Sequence, residues 1–116
     1  MKKKFIITVD TEGDDLWANK ITQKGLKKIT TENAKNLENF QQLCEKYNFV
    51  PVYLTNYEMS EAKPFVELAR YALRKGTAEI GMHMHAWNSP PIKHLPYNPR
   101  GTHTYIGEYS QRLQWE

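Results

Sequence analysis

The sequence predicts an α/β fold built on a parallel β-α-β-α-β unit, and two patterns indicate it. Three short apolar segments lie at residues 4–10, 49–55 and 78–85, and the first two are rich in the β-branched and aromatic residues typical of strands. Between these segments, apolar residues recur every three or four positions, as in helices that bury one face. Helices between successive strands imply parallel pairing with right-handed crossovers. The 116 residues suffice for one domain with a hydrophobic core.

The first predicted strand ends in four acidic residues around Gly13: Asp10, Glu12, Asp14 and Asp15. Like charges this close repel one another unless cations, water or hydrogen-bond donors compensate them. Residues 11–30 are polar and are predicted to form a long loop, and loops of that length are often functional. Trp17 in this loop either anchors it or lines a pocket.

The first predicted helix begins at a threonine cap, Thr30 or Thr31, and continues to about residue 47. Its apolar stripe predicts a buried face. The residues of that stripe are Ala34, Leu37, Phe40, Cys44 and Tyr47.

The second predicted helix follows a short loop that Asn56-Tyr57 opens. Ser60 is predicted to cap this helix, Pro64 to lie in its first turn and Gly76 to end it. Its predicted buried stripe is Phe65, Leu68, Ala69, Ala72 and Leu73.

The last quarter of the chain differs in composition from the periodic segments before it. Residues 86–107 contain four prolines and two glycines, which predicts an extended, irregular segment. Residues 108–116 have the composition to begin another helix. His94 and His103 in this part are expected to be surface histidines.

Composition excludes several classes of function. The formal charge of +3 is scattered apart from Lys2-Lys3-Lys4, so no nucleic-acid partner is expected. No stretch approaches the roughly 20 apolar residues of a membrane span, and the apolar run that ends at Asp10 is too short for a signal peptide. Cys44 is the one cysteine, so no intrachain disulfide can form. A cytoplasmic protein without a membrane partner is therefore expected.

The spacing of Asp10 and Glu12 points to chemistry. Alternate residues of a strand project to one side, so both carboxylates can face one cation. One acid can then bind the metal while the other removes a proton from water. The alternative is an acid pair that only caps the loop. Asp14 and Asp15 are predicted to cap the loop, with Asp14 a reserve ligand.

His83 and His85 end the third predicted strand with the same alternation. Neutral imidazole is the commonest metal ligand, and together with one carboxylate the pair makes a three-ligand site. Such a site leaves positions open for water and substrate, as catalytic zinc requires. Met82 and Met84 alternate with the histidines and are predicted to lie in the core.

Trp87 and Asn88 follow the histidines directly and are predicted to contact the substrate. An aromatic ring beside a metal suits stacking on a sugar ring or walling a pocket. The alternative for Trp87 is a hydrophobic plug beneath the proline-rich segment.

Two stretches, residues 8–13 and 79–85, together resemble the polysaccharide deacetylase family, also called carbohydrate esterase family four. Thr8-Val9-Asp10-Thr11-Glu12-Gly13 is similar to its Thr-Phe-Asp-Asp-Gly motif with a spacer between the acids. Glu79-Ile80-Gly81-Met82-His83 is similar to its Glu-Ile-Gly-x-His motif. The order and separation of the two stretches also match.

The resemblance implies a distorted (β/α) barrel and a divalent metal, usually zinc. It implies that Asp10 is the catalytic base and that Glu12 and His83 bind the metal. The family's second histidine stands four residues after the first, where this chain has Trp87, so His85 takes that role. The implied reaction removes N-acetyl groups from a glycan or a related small amide.

The family has further motifs downstream, an arginine and a later histidine, which this chain does not contain. The chain is therefore expected to be the N-terminal half of such a barrel, incomplete as a catalyst. Open sheet edges would then favour a homodimer. Two alternatives stand beside the deacetylase: an inert or self-associating fragment, and a phosphoryl hydrolase with Asp10 as nucleophile. A 2-His-1-carboxylate iron oxygenase fits the β-α alternation less well.

Overall fold

The computed structural model describes residues 4–17, 29–91 and 105–115. Three strands form a parallel sheet in the order β1-β2-β3, which confirms the predicted β-α-β-α-β unit. The strands are β1 (Thr8–Thr11), β2 (Val52–Thr55) and β3 (Glu79–Met82). Each is shorter than predicted, because strand bounds depend on pairing as well as on composition. The first also begins later than its apolar run.

The register of the sheet brings the carboxyl ends of all three strands level. Asp10 pairs with Leu54, which pairs with Gly81. One residue further along, Thr11, Thr55 and Met82 stand side by side. The residues that follow the strands therefore meet at one edge, as the sequence predicts.

Helices connect the strands. A 3₁₀ helix (Glu32–Asn36) leads into α1 (Leu37–Lys46), and α2 (Tyr57–Glu61) is followed by α3 (Lys63–Lys75). A second 3₁₀ helix (Ile106–Glu108) and α4 (Gln111–Trp115) follow, the latter within the predicted helix at 108–116. Among the residues described here, no helix has the length and apolar character needed to cross a membrane.

The first predicted helix begins directly after Thr31, as predicted, but the Thr31 side chain makes no capping hydrogen bond, and the Asp14 carboxylate accepts from Glu32 N instead. The predicted start of the second helix is wrong. Asn56 opens no loop: its Oδ1 accepts from Met59 N at 3.3 Å and caps α2 directly after β2, which leaves Ser60 inside that helix. The end of α3 is as predicted, since Gly76 adopts φ 71°, a left-handed conformation that glycine tolerates.

The core lies on one face of the sheet. Tyr53 of β2 is fully buried, and its ring contacts Phe40 and Phe65 at centroid distances of 6.4 and 5.9 Å. Helices α1 and α3 also contact each other, so both cover this face. The other buried members of the core cluster are Ala34, Met59, Ala62, Ala69, Ala72 and Ala78.

Several residues predicted to be buried are exposed. Met82 and Met84 are predicted to lie in the core, yet they are 80% and 46% exposed, because they line an open groove beside α3. Tyr47 and Leu73 lie at the margins of their helical stripes and are also exposed. Cys44 is buried, as predicted, and burial raises the pKa of its thiol.

The opposite face of the sheet carries Asp10, Leu54 and Gly81, since successive side chains of a strand alternate between faces. Asp10 is exposed there. This open face and the level strand ends frame the candidate site. His94 and His103 lie outside the described residues, as does most of the segment at 86–107.

Candidate metal centre

The acidic cluster after β1 supplies two side chains to the candidate metal centre. Asp10 is the third residue of β1, and Glu12 follows the strand directly. Strand alternation directs both carboxylates to the open face of the sheet. The Glu12 side chain is 15% exposed and that of Asp10 is 64% exposed. Glu12 therefore lies within the centre, and Asp10 lies at its solvent side.

Both histidines follow β3 and reach the same carboxylate. The amide of His83 donates to Thr55 O at 2.8 Å, which continues the parallel pairing one residue beyond β3. His83 Nδ1 lies 3.5 Å from Glu12 Oε1, and His85 Nε2 lies within hydrogen-bond distance of that same oxygen, at 2.7 Å. The two imidazole rings are 4.6 Å apart between centroids. The predicted convergence of acid and imidazoles is therefore present.

These three residues can hold a metal ion. One ligand atom from each of Glu12, His83 and His85 lies within 4.8 Å of the other two. Ligands about 2.0–2.1 Å from a tetrahedral zinc ion stand roughly 3.3 Å apart, close to the separation of His83 Nδ1 and Glu12 Oε1. His83 Nδ1 is also buried and makes no hydrogen bond with any described residue. Because such an atom is costly to leave unpaired, a cation at this point would stabilise the site.

Asp14, the predicted reserve ligand, is engaged elsewhere. Its Oδ2 accepts from Thr30 Oγ1 and from Glu32 N, both at 2.7 Å, and its Oδ1 accepts from Asn33 N at 3.1 Å. The hydrogen bond from Thr30, helped by the two amides, lowers the pKa of the Asp14 carboxyl. Asp14 therefore caps the segment after the loop, and it does not belong to the group of described residues that can hold a cation.

Asp10 lies beside the cluster. Its Oδ1 is 3.6 Å from His83 Nδ1, which is too long for a hydrogen bond. An exposed carboxylate next to a cation site can accept a proton from a water molecule held there. The role of Asp10 as a base stays a prediction.

Two tryptophans, Trp17 and Trp87, line the candidate metal centre. Trp17 Nε1 donates to Glu12 Oε2 at 3.1 Å, and the Trp17 ring meets His85 edge-on with centroids 5.0 Å apart. Trp87 lies 5.3 Å from His85 and 5.6 Å from Trp17, and it is almost completely buried. Trp17 thus both anchors its loop and lines the site, the two roles that the sequence left open.

Asn88, which follows Trp87, is also buried. Its Nδ2 donates to the Glu58 carboxylate, and the amides of Asn88 and Ser89 donate to His85 O at 3.1 and 2.9 Å. This turn fixes the chain immediately after His85. Contact of Trp87 or Asn88 with a substrate stays a prediction.

Two site features escaped the sequence analysis. The bond between Trp17 and Glu12 depends on a turn in which Asp15 adopts φ 51°, a conformation that aspartate tolerates better than most residues. Asn56 is buried between the ends of β1 and β3, and its Nδ2 has no partner among the described residues. The sequence Gly13-Asp14-Asp15 is typical of a turn and could have indicated it. Nothing in the sequence indicated the burial of Asn56 beyond its place after β2.

Comparison with known proteins identifies no relative, since no family model, no curated protein and no solved structure matches the chain. The resemblance to the deacetylases therefore depends on the two short motifs alone. What the protein does has to be inferred from the site.

Proposed function

We propose that the protein is a metal-dependent hydrolase that removes N-acetyl groups from a glycan or a related small amide, with zinc as the preferred cation. The observation that carries this proposal is the convergence of Glu12, His83 and His85 on one point, with Asp10 beside it. Three protein ligands of this kind leave a position for water or substrate.

In this proposal, three residues bind the cation and a fourth acts as the base. Glu12, His83 and His85 hold the cation at the level strand ends. A bound divalent cation supplies a Lewis acid that polarises the amide carbonyl and makes water more acidic. Asp10 accepts a proton from the attacking water, which adds to the carbonyl carbon. The C–N bond then breaks as the proton on Asp10 passes to the amine nitrogen, which gives a free amine and acetic acid, and the acid ionises to acetate.

The architecture supports the same proposal. Consecutive parallel strands in the order β1-β2-β3, with α1 and α3 on one face, are the arrangement found in (β/α) barrels. In such barrels the active site lies at the carboxyl ends of the strands. Glu12, His83 and His85 lie at the same ends here. A phosphoryl hydrolase with Asp10 as nucleophile would leave the two histidines without a role, and no observation favours it.

Metal analysis of the purified protein tests the proposal. After zinc addition and dialysis, we expect close to one zinc per chain, and the His83→Ala variant should retain none because it lacks a ligand. The Glu79→Ala variant is the matched control, since it removes an exposed side chain from the same strand. Zinc retained by His83→Ala, or none bound by the wild type, would contradict the metal site.

The Asp10→Asn variant separates binding from catalysis. It should keep its zinc, because Asp10 is not one of the three ligands, and it should release acetate from N-acetylated amino-sugar oligomers about 100-fold or more slowly than the wild type. Equal rates for the two proteins would rule out Asp10 as the base. No acetate release by the zinc-loaded wild type would contradict the deacetylase activity and leave the metal site standing.

A further inference from the structure

The two oxygens of the Glu12 carboxylate have different partners. Oε1 faces the histidines, at 2.7 Å from His85 Nε2 and 3.5 Å from His83 Nδ1. Oε2 accepts the indole N–H of Trp17 at 3.1 Å. The carboxylate therefore presents a defined oxygen to the point where a cation would lie.

A turn in the loop after β1 places Trp17 next to Glu12. Asp15 adopts the left-handed conformation, which reverses the chain between the two residues. Leu16, next to Trp17, is 2% exposed and secures the turn in the protein interior. The indole is thus positioned from one side by a buried neighbour and from the other by the carboxylate.

The Trp17 ring also restrains one of the histidines. It meets the imidazole of His85 at 86° between planes with centroids 5.0 Å apart, an edge-to-face contact that is favourable for aromatic rings. A single side chain therefore touches two of the three predicted ligands. Groups that orient metal ligands in this way commonly tune affinity by 10- to 100-fold.

We infer that Trp17 is a positioning residue of the metal centre, which holds Glu12 Oε2 so that Oε1 is the oxygen offered to the cation. This inference rests on the proposed metal site and adds to it a residue outside the ligand set. It also distinguishes Trp17 from a tryptophan that merely anchors a loop, because loop anchoring alone would not change how the carboxylate meets the cation.

The test compares zinc affinity in the full chain for four variants. Trp17→Phe keeps an aromatic ring and removes the N–H, and we expect it to bind zinc roughly 10- to 100-fold more weakly. Trp115→Phe, the same change at a highly exposed tryptophan in α4, is the control and should bind as the wild type does. Adding Trp17→Phe to Glu12→Ala should cause no further loss, because Trp17 acts through Glu12.

Cobalt substitution supplies a second readout. The visible absorption of Co²⁺ depends on the number and arrangement of its ligands, so Trp17→Phe should change the band positions or intensities and Trp115→Phe should not. Unchanged zinc affinity and an unchanged cobalt spectrum in Trp17→Phe would overturn the inference, as would an equal loss in the wild-type and Glu12→Ala backgrounds. A wild-type protein that binds no metal would instead overturn the proposed function.

Discussion

At Gly13 the loop after β1 passes close to residues 29 and 30. A Cβ atom at this position would lie 2.2 Å from Ile29 Cγ2 and 3.1 Å from Thr30 O. The neighbouring amide of Asp14 already donates to Thr30 O at 2.8 Å, so the two segments cannot separate without losing that bond. The close approach explains why a glycine stands between the two acids.

Gly13→Ala should therefore lower the free energy of unfolding by about 1–3 kcal/mol, the usual cost of overpacking. Urea denaturation followed by circular dichroism measures this change. Gly107→Ala is the matched control, since a Cβ there meets nothing within 4 Å, and it should alter stability by less than about 0.5 kcal/mol. A Gly13→Ala variant as stable as the control would show that Ile29 moves aside freely.

At the scale of single residues, the sequence predicted the grouping of the candidate ligands better than their surroundings. Strand alternation was sufficient to bring Glu12, His83 and His85 together, because it fixes the side from which each side chain projects. The capping of Glu32 N by Asp14 was not predictable, since the two residues are 18 positions apart and no periodic pattern relates them. Long-range hydrogen bonds of this kind depend on the folded path of the loop.

At the scale of elements, Glu45 joins the end of α1 to the turn before β3. Its carboxylate accepts from Lys75 Nζ at 2.6 Å, from Thr77 Oγ1 at 2.7 Å and from Gln41 Nε2 at 3.1 Å. These hydrogen bonds, that from Lys75 foremost, lower the pKa of Glu45 from its ordinary 4.5 to about 2. Gln41 extends the network to the buried Tyr53 hydroxyl.

The lowered pKa gives a stability that depends on pH. A carboxyl group with a lower pKa in the folded state stabilises the fold above its unfolded pKa, and this contribution is lost as the pH falls through the folded value. Glu45→Gln should therefore lower the melting temperature at pH 7, and the difference from the wild type should shrink between pH 4.5 and about 2. Thermal melts followed by circular dichroism across this range measure it.

Glu38→Gln is the control for this prediction, because Glu38 lies on the same helix and its carboxylate accepts a hydrogen bond of 3.3 Å from Gln42 Nε2. Its melting temperature should stay close to that of the wild type at each pH. A deficit in Glu45→Gln that is as large near pH 2 as at pH 7 would show that lost packing, and not the charge of Glu45, explains it.

The order and type of the elements were predictable, and their ends were not. Apolar periodicity identified three strands and the helices between them, because that periodicity follows from the faces that the elements bury. The start of α2 was missed because Asn56 caps it with no intervening loop. Tyr47 and Leu73 were misjudged because each helical stripe is wider than the surface that the sheet covers.

At the scale of the whole molecule, parallel pairing and strand order followed from the chirality of β-α-β connections. Whether the sheet belongs to a closed barrel stays a prediction, because closure needs strands beyond the three described. The described sheet is open, with helices on one face and with β1 and β3 each paired to β2 alone.

Ile80 and Met82 of β3, with Met84 just beyond the strand, form an exposed apolar stripe. The stripe borders a groove of about 530 Å³ that α3 lines with Val66 and Leu73. An unpaired, apolar edge strand is a template for pairing with another chain, because its backbone amides and carbonyls lack partners along that edge. We expect the isolated chain to self-associate through this edge in a concentration-dependent manner.

Met82→Lys should weaken that association, since a charge on an edge strand has to be desolvated when a second strand pairs with it. Sedimentation velocity over a wide concentration range measures the change as a lower average mass.

Leu43→Lys, which places the same charge at an exposed apolar position of α1, should leave the association as it is in the wild type. If both variants associate equally, or if the wild type stays monomeric at every concentration, the β3 edge is not the contact surface. A weaker association in Met82→Lys alone would identify it, because the two variants share their charge and differ only in the element that carries it.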